Sequence, residues 1–264
     1  MKKINITNPN KILFENSKIT KLDVVNYYLD ISPKMLPFVE NRVLSVVRCH
    51  DGITDCFFKK HPQKTDSVQR VNQGGQTYFY ITNVFELIAQ IQNGSLELHT
   101  QPHSVQRGEP SIMVFDLDPD TDLPHKNLCE SIRLVKSVLD ELNLKSFLKT
   151  SGGKGYHICV PFAQMPPEKF KDTAKNIALI AESKWPKMFT TNIKKSARKG
   201  KIFVDYLRNG EASTCVCPFS LRARENAPIS FPISWENLEK IKPNQITIKN
   251  YKKYLNNSWQ DFFK

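Results

Sequence analysis

Ile112-Met-Val-Phe-Asp-Leu-Asp118 reads as an apolar strand that ends on two carboxylates two residues apart. Side chains on a strand alternate faces, so Asp116 and Asp118 project to one side while Leu117 points to the other. Two like charges held that close call for a counter-ion. A divalent cation bound by carboxylate oxygens and shared with substrate phosphates is a recurrent arrangement in phosphoryl and nucleotidyl transfer. The plainer alternative is a solvated strand end, helped by the Pro119-Asp120 turn. A second strand, Lys201-Ile-Phe-Val-Asp-Tyr206, favours the metal. It carries Asp205 among Ile202, Phe203, Val204 and Leu207, where an unpartnered charge is costly. Beside the Asp116 strand it would bring three carboxylates together, enough for two ions. An ion pair between Asp205 and Arg208, or a loop lysine, is the competing role.

Between these strands, Ser146–Thr150 and Tyr156–Val160 read as strands around Ser151-Gly-Gly-Lys-Gly155. The loop is not a Walker A sequence, but it offers glycine backbone N–H groups, a hydroxyl and an ammonium to a phosphate. A glycine-rich hairpin turn is the alternative. His157 follows on the next strand. Leu128, Ile132, Val135, Leu139 and Leu142 mark one amphipathic helix, and Pro167 opens another through Phe170, Ala174, Ile177 and Ala181. Upstream, Thr20 and Asp23 start a helix whose apolar positions include Leu22, Val25, Tyr28 and Leu29. Strands at Leu44–Val47 and 55–60 flank the His50-Asp51-Gly52 turn. A capping box at Asn83 and Glu86 starts a helix that stops at Asn93-Gly94, and a short strand from Leu96 carries His99. Hairpins interleaved with helices predict a mixed sheet in an α+β fold.

Lys and Arg outnumber Asp and Glu by 38 to 26, giving +12 and a pI near 9.4, which favours a polyanionic partner over a neutral metabolite. Seven of these cations, and no acid, lie between Lys184 and Lys201, so a phosphate-contacting loop is expected there. Phe57-Phe58 followed by Lys59-Lys60-His61 interleaves aromatic faces with positive charge, as base stacking and backbone contact require. Strand alternation predicts that one phenylalanine faces the core and the other a base. Cys215 and Cys217 are the only closely spaced cysteines, and all six are expected to be reduced thiols, with no structural zinc and no disulfide. No run suits a membrane span and the N-terminus lacks the apolar core of a signal peptide, so a cytoplasmic, nucleoid-associated protein without membrane contact is expected. With no repeat or low-complexity linker, residues 1–264 read as a single domain.

Taken in order, the segments resemble the polymerase domain of bacterial ATP-dependent DNA ligase D, a branch of the archaeo-eukaryotic primase superfamily. The resemblance runs nearly end to end. It is carried by Asn8-Pro-Asn-Lys11, Thr20-Lys-Leu-Asp23, Val47-Arg-Cys49, Cys56-Phe-Phe-Lys-Lys-His61, Leu96-Glu-Leu-His99, Val114-Phe-Asp-Leu-Asp-Pro119, Thr150-Ser-Gly-Gly-Lys-Gly-Tyr-His157, Lys201-Ile-Phe-Val-Asp205 and Pro218-Phe-Ser-Leu-Arg-Ala-Arg224.

The resemblance implies a two-lobed primase-polymerase fold whose mixed catalytic sheet, flanked by helices, is like that of an RNA-recognition motif. It implies Asp116, Asp118 and Asp205 as catalytic ligands of two Mn²⁺ or Mg²⁺ ions. His99, Ser151, Lys154, Arg222 and Arg224 would bind the incoming NTP or dNTP. Asn8, Lys11 and Lys21 would grip the 5′-phosphate of a DNA gap or end. Phe57 and Phe58 would lie near the template, and Lys195, Arg198 and Lys199 would engage the primer. The implied activity is template-directed extension of primers and filling of gaps during non-homologous end joining, favouring ribonucleotides, with Ku and a separate ATP-dependent DNA ligase as partners. Two positions depart from the family pattern: His50 stands where proline is common after Arg-Cys, and Gln101 where tryptophan often follows the histidine. No K-x-D-G ligase motif is found, so polymerisation without sealing is expected, from a stand-alone protein or an excised domain. Two rival readings are a non-catalytic DNA-end-binding scaffold and a haloacid-dehalogenase-like phosphatase; the latter would need threonine at position 120, where Asp120 stands.

Overall fold

Local capping chemistry starts the first two long helices. Thr20 accepts from the Asp23 amide while the Asp23 carboxylate takes the Thr20 amide, a reciprocal box that opens α1 (Lys21–Val39) after β1 (Ile12–Phe14) and β2 (Ile19–Thr20). Val25 and Tyr28 are buried on α1, whereas Leu22 and Leu29 stay exposed. Asn83 caps α2 (Val84–Gln92) by accepting from the Glu86 amide. The expected box is incomplete: the Glu86 carboxylate takes the Thr82 amide, one residue before the cap. Gly94, at φ +90°, ends the turn, and a Cβ there would lie 2.8 Å from the Cys49 carbonyl oxygen.

The computed structural model describes residues 4–106, 111–119, 123–163, 165–255 and 258–264; Asp120 lies outside them. The remaining elements are β3 (Arg42–Cys49), β4 (Cys56–Lys59), β5 (Gln69–Gln73), β6 (Gln76–Tyr80), β7 (Ser95–Ser104), β8 (Ser111–Pro119), α3 (His125–Glu141), β9 (Phe147–Thr150), β10 (Tyr156–Phe162), α4 (Pro167–Lys184), β11 (Phe189–Thr190), β12 (Ile202–Asp205), β13 (Cys215–Val216) and β14 (Pro232–Ile233). The strand from Leu96 is longer than expected, spanning ten residues as β7.

Among the described residues, two six-stranded sheets, each with its own helices, and a two-stranded β1–β2 sheet make up the fold. The first runs β13-β7-β3-β6-β5 with β4 attached to β3, and α1 and α2 pack on each other and against β3 and β7. The second runs β11-β12-β8-β10-β9-β14. Its β11–β12 pair is parallel and its other pairs antiparallel, so the sheet is mixed as expected. Within it the chain order β8-α3-β9-β10-α4-β12 and the spatial order β12-β8-β10-β9 form the split βαββαβ arrangement of an RNA-recognition-like sheet. Met113, Phe115 and Leu117 are fully buried on one face of β8, and the opposite face carries the two aspartates. The sheets meet where β7 lies against β8. The segment from Cys215 to Ala223 straps that junction, with Leu98 donating its amide to Ser220 and accepting from the Cys217 amide.

One cysteine expectation is overturned. Antiparallel pairing of β3 with β4 sets Cys49 opposite Cys56, and the two form a disulfide; Cys129, Cys159, Cys215 and Cys217 are free. Their seven-residue separation became a contact only through the register of the hairpin. Among the described residues no helix is long and apolar enough to cross a membrane.

Candidate active site

Strand register assembles the acidic cluster. Antiparallel pairing puts Asp205 of β12 opposite Asp116 of β8, and His157 of β10 opposite Asp116 from the other side. The competing ion pair for Asp205 also forms: Arg208 Nε lies 3.0 Å from Asp205 and 4.0 Å from Asp116 Oδ2. Register thus sets Asp205 beside Asp116, and Asp205 is at the same time ion-paired with Arg208. Arg198 stands 3.5 Å from Asp118 with its guanidinium 3.8 Å over the Phe203 ring, and His157 Nε2 stands 3.3 Å from Asp116 Oδ1.

These neighbours separate the three carboxyls. Burial alone would raise Asp116, but His157, with Arg208 and Lys149, brings it down to about 2. Asp118 is raised, by burial and then by the Asp116 charge. Asp205 is also raised, by burial that outweighs Arg208. No three His, Cys, Asp or Glu side chains among the described residues stand at metal-ligand spacing. Guanidinium groups neutralise the acids instead. The donors nonetheless suit a hard divalent cation: they are all carboxylate oxygens, and Asp116 and Asp118 repel each other without one.

A cavity of about 260 Å³ opens beside the acids, lined by His99, Ser151, Lys154, Arg222 and Arg224 together with Asp116, Asp118 and His157. The glycine loop differs from expectation. Ser151 Oγ accepts the amides of Gly153 and Gly155, the Gly152 amide reaches the Pro243 carbonyl, and the Ser151 amide reaches the Gly155 carbonyl. Those N–H groups are taken up within the loop or, for Gly152, by the Pro243 carbonyl, and are not presented to a phosphate. Glycine is required by crowding: a Cβ on Gly155 would meet the Leu117 carbonyl oxygen at 2.4 Å, and one on Gly152 would meet Arg222 Cγ at 2.6 Å. The lysine and arginine side chains lining the cavity are Lys154, Arg208, Arg222 and Arg224, of which Arg208 is paired with Asp205.

Glu97, absent from the expected set, organises that wall. Its carboxylate accepts from Arg222 Nε at 3.0 Å and from the Ala223 amide at 2.8 Å, and meets His99 Nε2 at 2.9 Å. Arg222 donates onward to the Ser151 carbonyl at 2.6 Å, linking β7 of the first sheet to the glycine loop of the second. Burial works to raise the Glu97 carboxyl, yet His99 and Arg222 bring it down to about 2. Burial lowers His99. The sequence signal for Glu97 was a charged residue two positions before His99, on the same face of the strand and flanked by Leu96 and Leu98 on the other.

Asn8, Lys11 and Lys21 come together elsewhere. Asn8 adopts φ +50° and its carbonyl accepts the Lys11 amide; the Lys11 carbonyl accepts the Lys21 amide at 2.8 Å. Lys21 Nζ donates to the Thr7 carbonyl, and burial followed by the Lys11 charge lowers its pKa. Lys11 Nζ pairs with Asp51 and reaches the carbonyl of His50, the residue that departs from the family pattern.

Phe57 and Phe58 are 44% and 48% exposed, so the expectation that one faces the core is corrected. Among the described residues their strand, β4, pairs only with β3, and both of its faces are open at Phe57 and Phe58. Phe57 packs beside the His50 ring and Phe58 stands edge-on to His99. The aromatic pair thus bridges the two-lysine cluster and the cavity. In the basic loop Lys195 and Lys199 are exposed, whereas Arg198 folds back onto Asp118.

The family model described as LigD, primase-polymerase domain matches residues 20–263. The chain is 33% identical to the multifunctional non-homologous end joining protein LigD of Pseudomonas aeruginosa, over 98% of this chain and 33% of that protein. It is 30% identical to the bifunctional non-homologous end joining protein LigD of Bacillus subtilis, over 90% of this chain and 40% of that protein. It therefore spans a third to two fifths of the length of these relatives. The polymerase domain from Mycobacterium tuberculosis ligase D, solved in complex with DNA, superposes with a TM-score of 0.86 at 27% identity, covering 94% of this chain and 92% of that one. With its split βαββαβ sheet and its ordered motifs, the chain belongs to the LigD primase-polymerase domain family.

Proposed function

We propose that this chain is a metal-dependent, template-directed nucleotidyltransferase that extends primers and fills gaps at DNA breaks in non-homologous end joining. One observation carries the reading: Asp116 and Asp118 border a cavity walled by Lys154, Arg222, Arg224 and His99, and Asp205 lies opposite Asp116 on the same sheet face. Anionic ligands for a cation stand beside cationic ligands for a triphosphate.

Asp116, Asp118 and Asp205 would hold two Mg²⁺ or Mn²⁺ ions, which supply charge neutralisation at the phosphates and a lowered pKa for the primer hydroxyl. Lys154, Arg222 and Arg224 take the triphosphate charge, and Ser151 keeps the glycine loop in the shape that presents Lys154. The 3′-oxygen forms a bond to the α-phosphorus, its proton passes to solvent, and pyrophosphate leaves with the electrons of the broken P–O bond. Phe57 and Phe58 offer stacking faces to template bases. Lys195 and Lys199 contact the primer backbone, and Arg198 releases Asp118 as it joins them. Asn8, Lys11 and Lys21 bind the downstream 5′-phosphate, with Asp51 as the counter-ion that phosphate replaces. A preference for ribonucleotides, and cooperation with Ku and a DNA ligase, complete the proposal.

The test is nucleotide addition on a gapped duplex bearing a downstream 5′-phosphate, with ribo- and deoxynucleotides and with Mn²⁺ or Mg²⁺. Templated addition that disappears in Asp118→Ala supports the reading. Gap binding without addition under any condition would replace it with a DNA-end scaffold.

A further inference from the structure

One row of side chains crosses four strands of the second sheet. Lys149 of β9 lies opposite His157 of β10, His157 opposite Asp116 of β8, and Asp116 opposite Asp205 of β12. The row begins with a lysine only 1% exposed, an expensive position for an ammonium unless every hydrogen is used.

An ammonium has three hydrogens and no acceptor. Lys149 Nζ is 2.9 Å from His157 Nδ1, 3.1 Å from the Val216 carbonyl and 2.5 Å from Ser230 Oγ. The carbonyl can only accept. Ser230 gives its own hydrogen to the Thr150 carbonyl, so its oxygen is also an acceptor toward Lys149. The third hydrogen is left for His157 Nδ1. A ring nitrogen that accepts carries no hydrogen, so the imidazole hydrogen sits on Nε2, which faces Asp116 Oδ1 at 3.3 Å. Cys215 Sγ also lies 3.3 Å from Nδ1. If Nδ1 were instead to donate to that sulfur, its N–H would be turned toward the donors of Lys149.

We infer that Lys149 is a positioning residue: it holds His157 as the Nε2–H tautomer, and the imidazole in turn occupies Asp116 Oδ1 and leaves Oδ2 to bind a cation. The second half of this inference rests on the proposed role of Asp116 as a metal ligand; the first half does not. Partners of this kind behind a ligand characteristically govern affinity about 10–100-fold.

The experiment is ¹⁵N NMR of the histidine-labelled full chain without added metal, with His157 assigned through a His157→Gln variant. Wild type and Cys215→Ala should both show an unprotonated Nδ1 and a protonated Nε2, and Lys149→Met should lose that pattern. Mn²⁺ binding to the metal-free protein, read by water-proton relaxation, should weaken about tenfold in Lys149→Met. A hydrogen on Nδ1 in wild type overturns the inference, as does a tautomer that changes with Cys215 and not with Lys149. Unchanged Mn²⁺ affinity in a folded Lys149→Met overturns the positioning role. If Lys149→Met does not fold, the wild-type and Cys215→Ala spectra still decide the tautomer. None of these readouts needs catalysis, so failure of the polymerase reading on gapped DNA is seen separately.

Discussion

Replacing Glu97 by alanine removes the acceptor that joins His99, Arg222 and the Ala223 amide. Two independent routes give its magnitude. The folded structure lowers the Glu97 carboxyl from 4.5 to about 2, a linkage worth roughly 3 kcal/mol. Breaking a buried ion pair by deleting one partner costs about 3–5 kcal/mol. Arg222 keeps its bond to the Ser151 carbonyl and lines the open cavity, so the lower end of that range applies. Urea unfolding at neutral pH should therefore show a loss of about 3 kcal/mol, and a thermal midpoint lowered by roughly 6–12 °C. Because the folded pKa is depressed, this stabilisation is present above the unfolded value of 4.5 and fades as pH falls toward 2. Wild type and variant should accordingly converge in acid. Function should suffer beyond stability, since His99 and Arg222 lose their orientation and the nucleotide KM should rise about tenfold or more. Glu97→Gln, which keeps the shape but loses the charge and turns an amide donor toward the Ala223 amide or the Arg222–His99 pair, should lose most of the same stability at neutral pH and also raise the KM. A Glu97→Ala protein as stable as wild type, with unchanged nucleotide KM, would refute the argument.

Three further outcomes are expected. Asp118→Asn should abolish nucleotide addition without lowering stability at neutral pH, because burial and Asp116 already raise the Asp118 pKa and the amide removes a repulsion; a large fall in the thermal midpoint would contradict this. Lys21→Ala should lose the stimulation given by a downstream 5′-phosphate and reduce the slope of log affinity against log salt by about 1, measured by fluorescence anisotropy on gapped DNA. Phe58→Ala, altering a side chain 48% exposed, should change stability by no more than about 0.5 kcal/mol. It should nonetheless weaken template binding by about 1–3 kcal/mol if Phe58 stacks on a base.

What could be read from the chain alone was what depends on neighbours within a few residues. Alternation along one strand sets Asp116 and Asp118 on a common face, and the Thr20–Asp23 box needs only a backbone turn to close. The apolar spacing of α3 and α4 follows from the helical repeat, and the basic run before β12 is plain in composition. The ordered motifs pointed to the family, whose geometry then supplied most of the candidate residues. Tertiary structure decided what depends on register between distant strands. Asp205 meets Asp116 across 89 positions because β12 pairs antiparallel with β8, and a slip of one residue would turn its carboxylate to the other face. Cys49 reaches Cys56 only in the observed hairpin register, and both phenylalanines face solvent because β4 ends uncovered at the rim of its sheet. The Glu97 hub and the Lys149 hydrogen count depend on groups brought in from the 215–231 segment, more than 60 residues away in sequence. Hydrogen-bond partners of buried charges are chosen by proximity in space, and no local pattern in the chain encodes them.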